Sequence, residues 1–163
     1  MSGLSETVLV IGLGSPIVSD DRVGLEIVKQ IESMKLDSVE TRQEAIGGLD
    51  ILPLIFGYRH VIIVDAIQSG SCPPGTVMLF DIKDFEHTVA DSSAHGINLA
   101  TAIALGRQLE TERMPEEVRL VAIEAQELLT VSEEMSAAVE NAVPKAVSLI
   151  LELISEFKGS YVE

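Results

Sequence analysis

The segment from Val8 to Gly24 constrains the fold more than any other part of the chain. The apolar run VLVI ends at the turn GLG, and two adjacent acids, Asp20 and Asp21, precede a segment with apolar residues at helical spacing. This order predicts a buried parallel strand that turns directly into an amphipathic helix. Such a corner often binds phosphate at the helix N-terminus. Carboxylates there would repel phosphate, so the pattern points to a different ligand.

Strand and helix patterns alternate along the whole chain, without a linker or repeat. Residues 67–76, which follow the strand pattern His60–Ala66, are few and rich in Gly and Pro. They cannot form the helix that a parallel crossover needs, so we predict that the chain returns antiparallel. We expect a single domain over residues 1–163, folded as a three-layer α/β sandwich with about five strands in a mostly parallel twisted sheet, one antiparallel strand, and helices on both faces. The predicted strands are Val8–Ile11, Val39–Ala45, His60–Ala66, Val77–Phe80 and Arg119–Glu124. One predicted helix follows Asp21. Three others cover Leu49–Ile55, His95–Gln108 and about Ser132 to Phe157, the last with a kink at Pro144.

Charge and composition exclude several classes of partner. The 163 residues carry 11 Lys and Arg against 26 Asp and Glu, a net charge of −15, which disfavours nucleic acid and anionic membranes. No apolar run is long enough to span a bilayer, no export signal is visible, and the single cysteine, Cys72, excludes an internal disulfide. We therefore expect a cytoplasmic protein. We also expect a monomer, because the strands should follow one another in order in the sheet and no helix has an obvious exposed apolar face.

Three loops carry the residues that could perform chemistry. Ligands of parallel sheets bind beyond the carboxyl ends of the strands, where Asp20 and Asp21, Asp65, and His95 are expected to meet. Two carboxylates and one imidazole suit a divalent metal and leave coordination positions open. Each residue also has a structural interpretation: Ser19 or Asp20 caps the helix, Asp65 accepts backbone amides, and His95 caps a helix or lies at the surface.

Other candidates are weaker. The turn GLGSPI lacks the third glycine of a dinucleotide-binding motif, and no P-loop lysine follows it. Ser92 and Ser93 precede His95, but no nucleophile elbow is present. Cys72 has no cationic neighbour in sequence that would activate it. The remaining histidines, His60 and His87, are expected to be solvated.

Four blocks resemble the hydrogenase maturation endopeptidases, which remove a C-terminal extension from the large-subunit precursor of nickel–iron hydrogenases. GLGSPIVSDD resembles the family's G-x-G-N-x-x-x-x-D-[DE] segment, and VIIVDAIQSGSCPPGTV is similar to its V-D-A…P-G-T signature. SSAHGINLATAIAL resembles the S-x-H segment with its helix, and GGLD matches a glycine-rich turn. The resemblance implies a peptidase in which Asp21, Asp65 and His95 are the catalytic and metal-binding residues.

The resemblance also implies that the metal is nickel, brought by the substrate precursor rather than held as a resident cofactor. Gly47 and Gly48 would line the cleft, and hydrolysis would use either a nickel-activated water or a carboxylate base. The chain departs from the family pattern at Ser15-Pro16 and at Arg22, which stands where many members have glycine. Two alternatives stay open: a non-catalytic nickel-binding assembly factor, and a nucleotide-binding α/β enzyme.

Overall fold

The computed structural model describes residues 3–84 and 96–159, and its strands form one sheet in the order β2-β1-β3-β5-β4. The strands are β1 (Val8–Leu13), β2 (Val39–Glu44), β3 (His60–Ile67), β4 (Val77–Asp81) and β5 (Glu117–Glu124). The helices are α1 (Val23–Ser33), α2 (Leu52–Ile55), α3 (Gly96–Leu109) and α4 (Ala137–Gly159). Two short 3-10 turns, Ser19–Arg22 and Gly48–Ile51, lead into α1 and α2.

Four strands are parallel and one is antiparallel, as the sequence predicts. β1 pairs in parallel with β2 and β3, and β3 pairs in parallel with β5. β4 is antiparallel and lies at the edge of the sheet beside β5. The chain leaves β3 at the carboxyl edge and enters β4 at that same edge, because residues 68–76 are too short to return to the opposite edge.

Helices cover both faces of the sheet. β1 and β3 are buried along their whole length, so successive side chains enter two separate cores. Ile62 and Val64 pack in the core beneath α1 and α4. Ile63 and Ile67 pack in the other core, beneath α2 and α3. The predicted three-layer sandwich is confirmed.

The observed element boundaries differ most from the predicted ones at the last helix. It begins at Ala137 rather than near Ser132, and it continues through Pro144. Residues 126–136, which we call the strap, instead lie against the Ser19–Arg22 turn: Val131 forms an antiparallel bridge with Val18, and the Ser132 amide donates to the Ile17 carbonyl at 2.9 Å. Within residues 3–84 and 96–159, no helix has the length and hydropathy needed to cross a membrane.

Candidate functional site at the carboxyl edge of the sheet

Three buried carboxylates lie at the edge where the parallel strands end. Asp20 follows β1, Asp65 lies near the end of β3, and Glu124 is the last residue of β5. A buried charge is costly unless hydrogen bonds compensate for lost hydration. Their surroundings therefore show which carboxylates hold the scaffold together and which are available for a ligand.

Asp20 is a scaffold residue. It is fully buried, and its Oδ2 accepts the backbone amides of Gln126 at 2.8 Å and Glu127 at 2.9 Å. Its Oδ1 accepts the Ser136 amide at 2.7 Å, and the Ser136 hydroxyl donates to Oδ2 at 3.0 Å. The interpretation of Ser19 or Asp20 as a helix cap is wrong, because neither the 3-10 turn nor α1 has a side-chain cap. Asp20 instead joins both ends of the strap to the turn that carries Asp21.

The glycines of the first corner allow the 3-10 turn and α1 to approach the strands closely. A Cβ atom on Gly14 would lie 2.0 Å from the Asp21 carbonyl oxygen, and one on Gly12 would lie 2.3 Å from the Gly24 carbonyl oxygen. A Cβ atom on Gly24 would lie 2.5 Å from the Val64 carbonyl oxygen of β3. Backbone carbonyls thus fill the space beside these glycines, and that arrangement disfavours phosphate.

Asp21 is half-buried on this turn, which contacts β3, the strand that carries Asp65. Its amide donates to the Val18 carbonyl at 2.9 Å. The neighbouring Arg22 forms an ion pair with Glu26 at 2.9 Å and donates to the Glu133 carbonyl of the strap. Arg22, one of the two departures from the family pattern, therefore ties α1 to the strap.

Asp65 lies within β3, two residues before the strand ends at Ile67, rather than at the strand end as the sequence pattern predicts. It is buried, and its Oδ1 accepts the Ala66 amide at 2.9 Å. Strand alternation places it on the face that α2 and α3 cover. The first residue of α3, Gly96, follows His95 in the chain.

His95 lies outside the described residues. Among residues 3–84 and 96–159, no three His, Cys, Asp or Glu side chains are grouped so that they could hold a metal. The ligand set Asp21, Asp65 and His95 therefore stays a prediction. In its support, the turn that carries Asp21 contacts the strand that carries Asp65.

Glu124 is a buried carboxylate that the sequence pattern marks only as a strand residue. Its Oε2 accepts the amides of Ser69 at 2.9 Å and Gly70 at 3.1 Å, and its Oε1 accepts the Ser69 hydroxyl at 2.5 Å. The Cys72 thiol donates to the same oxygen at 3.3 Å. These contacts shape the loop that follows Asp65. The signal in sequence is an acid directly after the apolar run Leu120–Ile123.

His60 contradicts the expectation of a solvated histidine. Its side chain is buried at the start of β3 and stacks on Phe157 with ring centroids 4.3 Å apart. Burial lowers the pKa of His60 from its ordinary value of 6.5, although Glu117 at 3.6 Å opposes this effect. His60 lies at the amino end of β3, so it belongs to the core rather than to the candidate site. His87, with Ser92 and Ser93, lies outside the described residues.

Comparisons with known proteins agree with this architecture. A family model described as HycI, hydrogenase maturation protease, matches residues 25–153. The hydrogenase 2 maturation protease of Escherichia coli (strain K12) is 26% identical over 151 residues, which cover 89% of this chain and 91% of that protein. The structure of the hydrogenase maturating endopeptidase HybD from E. coli is similar with a TM-score of 0.77 and 26% identity, covering 91% of this chain and 92% of that one.

A second solved structure shows the same likeness. The hydrogenase 2 maturation peptidase from Thaumarchaeota archaeon SCGC_AB-539-E09 is 29% identical with a TM-score of 0.64, covering 90% of this chain and 97% of that one. The family model spans most of the chain, and both structures cover nearly all of it. The chain therefore belongs to the hydrogenase maturation protease family and is a peptidase.

Proposed function

We propose that this chain removes the C-terminal extension of a nickel-loaded [NiFe] hydrogenase large-subunit precursor. Nickel belongs to the substrate, and Asp21, Asp65 and His95 occupy vacant positions on it. The observation that carries this proposal is the contact between the Asp21 turn and the Asp65 strand at the carboxyl edge, in a chain of this family.

The residue types suit this role. Carboxylate oxygen and neutral imidazole nitrogen are ligands that a divalent ion such as nickel accepts. Asp20 accepts backbone amides of the strap and so ties the strap to the turn, and the close contact at Gly14 restricts the Asp21 backbone. The backbone at Asp21 is thus held in place by its neighbours before the substrate arrives.

Hydrolysis adds water across the peptide bond. The water oxygen bonds to the carbonyl carbon, the carbon–nitrogen bond breaks, and the leaving nitrogen takes up a proton. Two routes for activating the water fit these residues: polarisation by the substrate's nickel, and proton removal by Asp21 or Asp65 as a general base.

Mass spectrometry of the precursor tests the proposal. Purified protein is incubated with nickel-loaded and nickel-free precursor, and we expect loss of the extension from the loaded sample alone. Asp21→Asn should abolish this mass loss. The matched control is Asp37→Asn, because Asp37 is exposed and lies after α1, at the opposite edge of the sheet. The control should cleave at the wild-type rate.

The same experiment separates the proposal from its alternative. A non-catalytic assembly factor would bind the loaded precursor and leave its mass unchanged. Retained binding without mass loss would therefore overturn the proposed peptidase role of this site, and equal cleavage of both precursors would overturn nickel recognition.

A further inference from the structure

Exposed apolar side chains concentrate beside the candidate site. Leu129 is 89% exposed and Val131 75% exposed on the strap, and Ile17, on the segment bonded to it, is 55% exposed. We call Ile17, Leu129 and Val131 the apolar patch. A fourth exposed residue, Leu49, lies in the 3-10 turn after β2, at the same edge of the sheet. Grouped exposed apolar residues mark interaction surfaces more often than isolated ones do.

Backbone contacts hold together the two segments that carry the patch. The bridge between Val18 and Val131 and the hydrogen bond from Ser132 to Ile17 join its two segments. Asp20, which is three residues from Ile17 and adjacent to Asp21 in the chain, holds the strap at both ends. A partner that covers the patch therefore lies beside Asp21.

The charges around the patch restrict the partner. The charged residues of the strap are all acidic: Glu127, Glu133 and Glu134. The last two also line a cavity of about 450 Å³ between the strap, α1 and α4, together with Glu26, Glu140 and Arg22. A second copy of a chain with a net charge of −15 would bring like charges together, whereas an apolar segment flanked by basic side chains would be attracted.

We propose that the apolar patch docks an apolar segment of the hydrogenase precursor, flanked by basic side chains, and so holds the precursor beside Asp21. This inference rests on the proposed function. It assigns substrate recognition to Ile17, Leu129 and Val131, which lie outside the proposed metal ligands.

Steady-state cleavage of nickel-loaded precursor tests the inference. The double variant Leu129→Ser/Val131→Ser should raise KM roughly 30-fold, because two apolar side chains no longer become buried on binding, and should leave kcat within about twofold. The matched control is Leu109→Ser: Leu109 is 69% exposed and ends α3, away from the strap. Its KM should equal that of the wild type. An unchanged KM in the double variant, or an equal rise in the control, would overturn the inference.

Charge variants at one position test the chemistry of the partner. Val131→Glu and Val131→Lys remove the same apolar contact, but the lysine should raise KM further because it repels basic flanks. Equal effects, or a larger effect of glutamate, would overturn the basic character of the segment. Sedimentation equilibrium adds a second check: a wild-type dimer that the double variant abolishes would assign the patch to self-association and overturn docking of the precursor.

These outcomes separate the inference from the function on which it rests. If wild-type protein cleaves no loaded precursor, the proposed function fails. If wild type cleaves, Asp21→Asn does not, and the double variant retains wild-type KM, only the docking role of the patch fails.

Discussion

Asp20 and Asp21 are adjacent in the chain but differ in their surroundings. Asp20 is fully buried and accepts four hydrogen bonds, whereas Asp21 is half-buried at the edge of the sheet. The sequence alone predicts two carboxylates at this corner and cannot separate their roles, because the partners of Asp20 lie more than 100 residues further along. Family resemblance selects Asp21 as the ligand, and the bonds of Asp20 are consistent with that division.

Stability measurements should show the same division. Asp20→Asn replaces one carboxylate oxygen with an amide NH2 that faces backbone donors, so we expect the free energy of unfolding to fall by about 2–4 kcal/mol. Asp21→Asn should cost less than about 1 kcal/mol. Urea denaturation of both variants checks this prediction. An equal loss of stability in the two variants would contradict the assignment of Asp20 as the scaffold residue.

His60 should make stability depend on pH. Its pKa in the folded protein is lowered by burial, so the unfolded state binds a proton first as the pH falls. The contribution of His60 is therefore present above about pH 6.5 and is lost as the pH falls from that value toward the lowered pKa. His60→Phe keeps a ring against Phe157 and cannot titrate.

We expect wild-type stability, relative to that of His60→Phe, to fall between about pH 7.5 and 5.5. Urea midpoints at several pH values measure this difference. A relative gain for the wild type at low pH would show that the Glu117 contact outweighs burial.

At the scale of elements, sequence patterns predict the apolar interior well and the polar connections poorly. β1 and β3 are recognisable because both faces are apolar, and the antiparallel β4 follows from a connection without a helix. The sequence pattern predicts part of the strap as the start of the last helix. The strap is not helical there, because Asp20 and the Val18 segment bind its backbone. Contacts between segments so distant in the chain leave no periodic pattern of apolar residues in the local sequence.

The glycine-containing turn between β1 and α1 offers a test at the scale of elements. Gly14→Ala would place a Cβ atom 2.0 Å from the Asp21 carbonyl oxygen, and because that obstacle is backbone, we expect the 3-10 turn to shift. Unfolding free energy should fall by about 3 kcal/mol, and cleavage of loaded precursor should be lost with it.

Gly57→Ala is the matched control for Gly14→Ala. Gly57 has a φ of +91° but nothing within 4 Å of its Cβ position, so this variant should lose only about 1 kcal/mol and retain cleavage. Denaturation and cleavage assays on both variants separate crowding from backbone strain. Normal cleavage by Gly14→Ala would contradict the proposed support of Asp21 by this close contact.

At the scale of the whole molecule, the general rule for parallel sheets predicts from sequence alone the edge at which the candidate site lies. The carboxyl ends of β1, β3 and β5 bring Asp20, Asp65 and Glu124 to that edge. The expected in-order sheet is wrong: the observed order is β2-β1-β3-β5-β4, because strand order depends on which helices cover which face. The role of Glu124 could not be predicted for a related reason: its donors, Ser69 and Gly70, lie on another loop. The single-domain and monomeric states stay predictions.

The nickel ion itself reports most directly on the central claim. X-ray absorption at the nickel edge is compared for loaded precursor alone and in complex with this protein, using a precursor altered at the cleaved bond so that it binds without being cut. We predict added oxygen and nitrogen ligands in the wild-type complex and fewer of them with Asp21→Asn. Unchanged nickel coordination in a wild-type complex of full occupancy would contradict recognition of the metal by Asp21, Asp65 and His95.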